Sequence, residues 1–116
     1  MPCIITHTSE KISPEQREHL KSIFGKAIED LPGKSEFWLC CLFDDNKPMY
    51  FGGTNDQPAA FVEVNAYATS EIPQANWQKL SEDIQNAINK ELGVPKNRMY
   101  VREIASADWG WNGGNF

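Results

Sequence analysis

No stretch of this chain approaches the roughly 20 consecutive apolar residues that a membrane-spanning helix needs, and its first residues lack the basic flank and long apolar run of a secretory signal. A membrane is not an expected partner, and a cytoplasmic location is the default, with export by a non-classical route left open. Basic residues are in deficit: 11 Lys and Arg against 16 Asp and Glu leave a net charge of -5, and the cations are scattered rather than gathered into a patch. A nucleic-acid backbone is therefore not an expected partner either. Cysteine is scarce. The three present, Cys3, Cys40 and Cys41, make no CxxC, show no metal-type spacing with His7 or His19, and are an odd number for a disulfide framework. They read as reduced, buried thiols, and neither a metal nor a cofactor is expected. Adjacent Cys40 and Cys41 on a strand would point to opposite faces, which opposes a disulfide between them.

What remains is a chain of 116 residues, the length of one domain spanning residues 1–116. A first strand is expected within Cys3 to Thr8. Ser13, Pro14 and Gln16 then form a helix start, with a cap, a proline at the first helical position and a capping-box partner. Leu20, Ile23, Phe24, Ala27, Ile28 and Leu31 keep to one helix face until Pro32-Gly33. The run Phe37 to Phe43 is apolar without alternation, which predicts a strand buried on both faces. Ala60 to Tyr67 is a third strand, with Phe61, Glu63, Asn65 and Tyr67 on one side. A second helix follows Pro73, packs through Trp77, Leu80, Ile84, Ala87, Ile88 and Leu92, and ends at Gly93. Arg98 to Ile104 is the fourth strand.

Leu20, Ala27, Ile28 and Gly33 recur 60 residues later as Leu80, Ala87, Ile88 and Gly93. With the element order, this echo predicts an α+β fold: two β-α-β units making a four-stranded mixed sheet with two helices on one face. The second sheet face needs a cover that the chain cannot supply, so oligomerisation through the sheets is expected.

Four features carry chemistry. Pro2 opens directly into the first strand, so loss of Met1 would leave a secondary amine whose ordinary pKa near ~8 is within reach of general-base work at neutral pH. The plainer reading is a small residue exposed by methionine trimming. Tyr100 and Arg102 share one face of the fourth strand and together suit a carboxylate or an enolate; a surface ion pair for Arg102 and an edge position for Tyr100 are the alternative. Lys34, after the first helix stop, is a further candidate cation, though any solvent-facing lysine looks the same. The tail from Asp108 to Phe116 alternates aromatics with glycines, as a pocket wall or as an interface strand.

Met1-Pro2, Gly33-Lys34, Pro48-Met49-Tyr50-Phe51-Gly52-Gly53, Asn97-Arg98-Met99-Tyr100-Val101 and Gly110-Trp111-Asn112-Gly113, in this order and spacing, resemble the macrophage migration inhibitory factor family of the tautomerase superfamily from end to end. The resemblance implies a homotrimer whose sheets line a central barrel, with sites between subunits. It also implies keto-enol tautomerisation of phenylpyruvate-like α-keto acids, with Pro2 as the base and Lys34 as the cation that binds the substrate carboxylate and keeps the amine neutral. Tyr67 falls on the pocket wall, despite a one-residue insertion near Asn55 to Pro58. Tyr100 matches the pocket tyrosine of the neighbouring subunit, and Trp38, Trp109, Trp111 and Phe116 match apolar wall positions.

Three departures bear on what this pocket takes. Arg102 replaces an asparagine of the vertebrate cytokine, which implies a more acidic substrate; the segment from Tyr100 to Trp111 is two residues shorter; and Ala59-Ala60-Phe61-Val62 stands where the family's CxxC falls, so no redox activity is carried over. Two other functions stay open. One is a non-catalytic, cytokine-like ligand for a receptor. The other is hydration, decarboxylation or dehalogenation of small unsaturated acids, which needs a water-activating carboxylate such as Glu63 or Asp108.

Overall fold

A computed structural model describes residues 1–116. The order is β1 (Pro2–Thr8), α1 (Pro14–Ala27), β2 (Cys40–Asp44), β3 (Ala60–Tyr67), α2 (Gln74–Leu92), β4 (Met99–Ser106), then two short strands, β5 (Gly110–Trp111) and β6 (Gly114–Asn115). No helix is long and apolar enough to cross a membrane.

The first four strands form one sheet in the order β2-β1-β3-β4. β1 runs parallel to β2 and β3 parallel to β4, so each β-α-β unit supplies one parallel pair, and the two units join through the antiparallel contact of β1 with β3. The helices cover one face. Ile4 from β1, Val62 and Val64 from β3, Leu20 and Phe24 from α1, Ile28 just after it, and Leu80, Ile84 and Ile88 from α2 are fully buried together. Burying each such side chain is worth about 1.5–3 kcal/mol. The Ser13 hydroxyl accepts from the Gln16 N–H at 3.1 Å while the Gln16 side chain accepts from the Ser13 N–H at 2.9 Å, so the predicted capping box is formed. The 60-residue echo also extends to the helix stops: Gly33 and Gly93 both take positive φ, +73° and +72°.

The second strand departs from expectation. Glu36–Trp38 winds into a 3-10 turn closed by Leu39 N–H to the Glu36 carbonyl, and the strand begins only at Cys40. Phe37 is 84% exposed. Leu39, Cys41 and Phe43 pack on the core, whereas Cys40 and Leu42 face out, so β2 is an edge strand buried on one face within this chain. Its unbroken apolar run therefore marks a core face and a second apolar face that this chain leaves open. The fourth strand starts at Met99, after a 3-10 turn over Lys96–Arg98, and continues to Ser106. Arg98 holds the neighbouring loop, donating to the carbonyls of Pro58, Phe51, Thr54 and Gln57 and to the Thr54 hydroxyl. That many donors in one planar fork is something lysine cannot reproduce.

Glu103 lies on the helix side of β4, and its Oε2 is buried without a partner. Burial pushes its carboxyl up to about 7. A carboxyl raised in the folded state favours the protonated form, so the stability it permits is complete below the unfolded value and is lost as pH rises through about 7. Urea unfolding at pH 5.5 and pH 8 is expected to show the loss. Glu103→Gln is expected to gain about 1–2 kcal/mol at pH 8, a figure reduced for partial solvent access, and clearly less at pH 5.5, where only the first part of the loss has occurred. His7, held between Asp44 and Glu63 and raised by those hydrogen bonds, adds a slope of the same sign that the variant retains. An unchanged pH slope in Glu103→Gln would remove the assignment.

Candidate active site at the N-terminal end of the first strand

A cavity of about 430 Å³ opens where β1 begins, walled by Pro2, Cys3, Trp38, Cys40, Trp109 and Trp111. Pro2 is buried at the first position of β1, paired with Ala66 of β3. The 3-10 turn that displaced the start of β2 brings Trp38 round to this end. The tail supplies the opposite wall as a hairpin. Asn112 and Gly113, at φ +53° and +87°, make the left-handed two-residue turn that an Asn-Gly pair favours. Trp111 thereby meets Trp38 edge to face, with ring centroids 5.2 Å apart at 82°. An aromatic group entering here would meet the same kind of surface.

A polar cluster lies next to this wall. Lys34 Nζ sits 5.9 Å over the ring of Tyr67, which packs against Phe116 with centroids 4.8 Å apart. Lys34 has no ion-pair partner. Its charge reaches the chain terminus: the Met1 amine is held below its ordinary value first by burial and then by Lys34. The Tyr67 N–H donates to the Met1 carbonyl at 2.8 Å. With Met1 attached, the Pro2 nitrogen is a tertiary amide and has no basic lone pair.

Seven expected residues are therefore gathered at one end of the molecule: Pro2, Trp38, Trp109 and Trp111 on the cavity wall, and Lys34, Tyr67 and Phe116 around the terminus. Tyr100 and Arg102 are elsewhere in this chain. Pro2 is level with Ala66 and Ala105 across the sheet, while Tyr100 is level with Phe61 and His7. Five residues along β4 is about 16 Å, with two strand spacings in addition. Tyr100 packs on Phe51 at 4.9 Å and is 66% exposed; Arg102 is exposed, opposite Glu63, and has no ion-pair partner.

Glu63 accepts from or donates to nothing at the cavity. It lies 2.7 Å from His7 Nε2, whose Nδ1 is 2.8 Å from Asp44, on the uncovered face of the sheet. That engagement weakens Glu63 as a water-activating carboxylate. The sequence reading missed Cys3 and Cys40 as wall residues. Cys40 is exposed rather than buried, because β2 starts there and turns this residue to the open face. The alternation of residues along each strand was visible, but not the register that sets Cys3 opposite Cys40.

No protein-family model matches the chain. Among curated proteins, the macrophage migration inhibitory factor homolog of Trichinella spiralis is 29% identical over 118 residues, covering all of both chains. Among solved structures, MIF2 of Leishmania major is 32% identical with a TM-score of 0.90, covering 100% of this chain and 97% of that one. The macrophage migration inhibitory factor homologue of Prochlorococcus marinus is 28% identical with a TM-score of 0.83, covering 98% of each.

Proposed function

This chain belongs to the macrophage migration inhibitory factor family, and from that membership we propose that it is a keto-enol tautomerase of phenylpyruvate-like α-keto acids, using Pro2 as its base once Met1 is removed. The observation that carries the reading is the convergence of the Pro2 end of β1, an unpaired Lys34 and a tryptophan-walled cavity. In this scheme the Pro2 nitrogen takes a proton from the carbon next to the keto group, the electron pair of that C–H bond becomes the enolate, and the proton is delivered to oxygen. Ketonisation runs the same transfers in reverse.

Lys34 has two roles in it. Its ammonium pairs with the substrate carboxylate, and its field opposes protonation of the Pro2 amine, as it already does for the Met1 amine. Removing Met1 also frees the Tyr67 N–H from the Met1 carbonyl, which leaves a backbone donor facing a substrate oxygen. Trp38 and Trp111 would hold the phenyl ring.

The working unit of this reading is a homotrimer. The uncovered sheet face carries Leu42 and Ile104, 48% and 38% exposed, which supports covering by other copies, and since Tyr100 lies far from Pro2 within one chain, this reading takes Tyr100 and Arg102 from a neighbour. The test is ketonisation of enol phenylpyruvate by the trimmed protein and by Pro2→Gly. A glycine terminus keeps an amine but loses the ring that fixes it, so kcat/KM is expected to fall at least about tenfold. Equal rates would overturn the proposal.

A further inference from the structure

We propose that Cys3 and Cys40 are a peroxide-sensitive dithiol in the cavity wall, which closes to an intrachain disulfide tying β1 to β2. The two residues are register partners on adjacent parallel strands. Neighbouring strands lie about 4.8 Å apart, inside the Cα separation of roughly 4.4–6.8 Å that a disulfide spans. Both side chains point to the uncovered face of the sheet, and both residues line the cavity beside Pro2. Cys41 is one residue on and points to the core, so it does not compete.

Access sets the order of events. Both thiols line the cavity that the proposed reading gives to the substrate, so an oxidant reaches them through that cavity and meets first Cys40, the more exposed of the two within one chain. Hydrogen peroxide converts the Cys40 thiol to a sulfenic acid and leaves as water. The Cys3 sulfur then attacks the Cys40 sulfur, the S–O bond breaks, and a second water carries off the oxygen with the Cys3 proton. Two sulfurs lose one electron each, and peroxide is the two-electron acceptor. Burial, and then the neighbouring Cys40, push the Cys3 thiol up to about 11, so Cys3 rests as a thiol rather than a thiolate. Conversion of Cys40 to an uncharged sulfenic acid removes the second of those two causes.

The consequence falls on the wall of the cavity. Trp38 is two residues before Cys40, and Pro2 is next to Cys3, so the cross-link fixes the edge strand against the strand that carries the proposed base. The bond is read by mass, so this proposal and the proline chemistry succeed or fail separately.

The experiment treats the full-length protein with a small excess of hydrogen peroxide, alkylates the remaining thiols, and maps unreduced peptides by mass spectrometry. The expected product joins the Cys3 and Cys40 peptides, with Cys41 alkylated. In Cys41→Ala both remaining thiols are expected to vanish and to return with dithiothreitol, and in Cys40→Ser no cross-link is expected. Tryptophan fluorescence should fall on closure and recover on reduction. The oxidised protein should melt about 5 °C or more above the reduced one, since the bond closes a long loop of the unfolded chain. Three titratable thiols after treatment, sulfinic acid at Cys40 without a cross-link, or a cross-link only between two molecules would each overturn the assignment; the wild-type map decides even where a variant fails to fold.

Discussion

Protein that keeps Met1 is expected to ketonise enol phenylpyruvate about 10³-fold more slowly than trimmed protein, the range in which loss of a general base usually falls. Three effects act together. Acylation of the Pro2 nitrogen delocalises its lone pair into the amide and abolishes its basicity. The free α-amine then belongs to Met1, one residue before Pro2, and a consecutive Cα is ~3.8 Å away, which is too large a displacement for a proton transfer that needs hydrogen-bond contact. The Met1 carbonyl also occupies the Tyr67 N–H at 2.8 Å. A short N-terminal extension that blocks trimming, with a protease site directly before Pro2, provides both forms from one preparation. Intact mass identifies each form, and activity should appear with cleavage. Equal kcat/KM before and after cleavage would show that another group is the base.

Much of the fold was legible because its signals are local. The Ser13-Pro14-Gln16 box, the stop at Gly93 and the alternation from Ala60 to Tyr67 each follow from neighbouring residues, and the structure forms all three. The 60-residue echo then supplied the topology, since two similar β-α-β units can pair into one sheet in few ways. The second strand was misread for a physical reason. A continuous apolar run does not distinguish two buried faces within one chain from one face on the core and one face left for another surface, and Phe37 and Trp38 belong to a turn that places aromatics at a cavity rather than in a core.

The site was legible only in part. Pro2, Lys34 and the tryptophans were identified by type and order, and they meet because the tail folds back as a hairpin and the turn over Glu36–Trp38 rotates Trp38 to the same end. The pairing of Cys3 with Cys40 depends on strand register, a long-range property that neither cysteine's neighbours encode. Tyr100 and Arg102 share a face as their spacing predicted, but register places Tyr100 far from Pro2, so within one chain the two do not meet.

Lys34→Ala is expected to lower kcat/KM by about 10²-fold and to move the rising limb of its pH profile to higher pH. The magnitude follows from one charge-assisted hydrogen bond to the substrate carboxylate, about 2–3 kcal/mol, at 1.36 kcal/mol per decade. The direction of the pH shift follows from the sign of the charge. A nearby cation disfavours the protonated amine and holds its pKa down, so deleting the cation raises that pKa, and the basic form needed for proton abstraction is reached only at higher pH. The fold should tolerate the change, because Lys34 has no ion-pair partner and its contact with Tyr67 at 5.9 Å is worth about 0.5–1 kcal/mol at an exposed site. Lys34→Arg separates the two roles: it keeps the charge, so the limb should stay near its wild-type position, while the longer planar head misplaces the carboxylate and raises KM. A Lys34→Ala profile with the same limb and the same KM would mean that Lys34 is only a surface cation and that substrate charge is met elsewhere, with the unpaired Arg102 of a neighbouring subunit the next residue to replace.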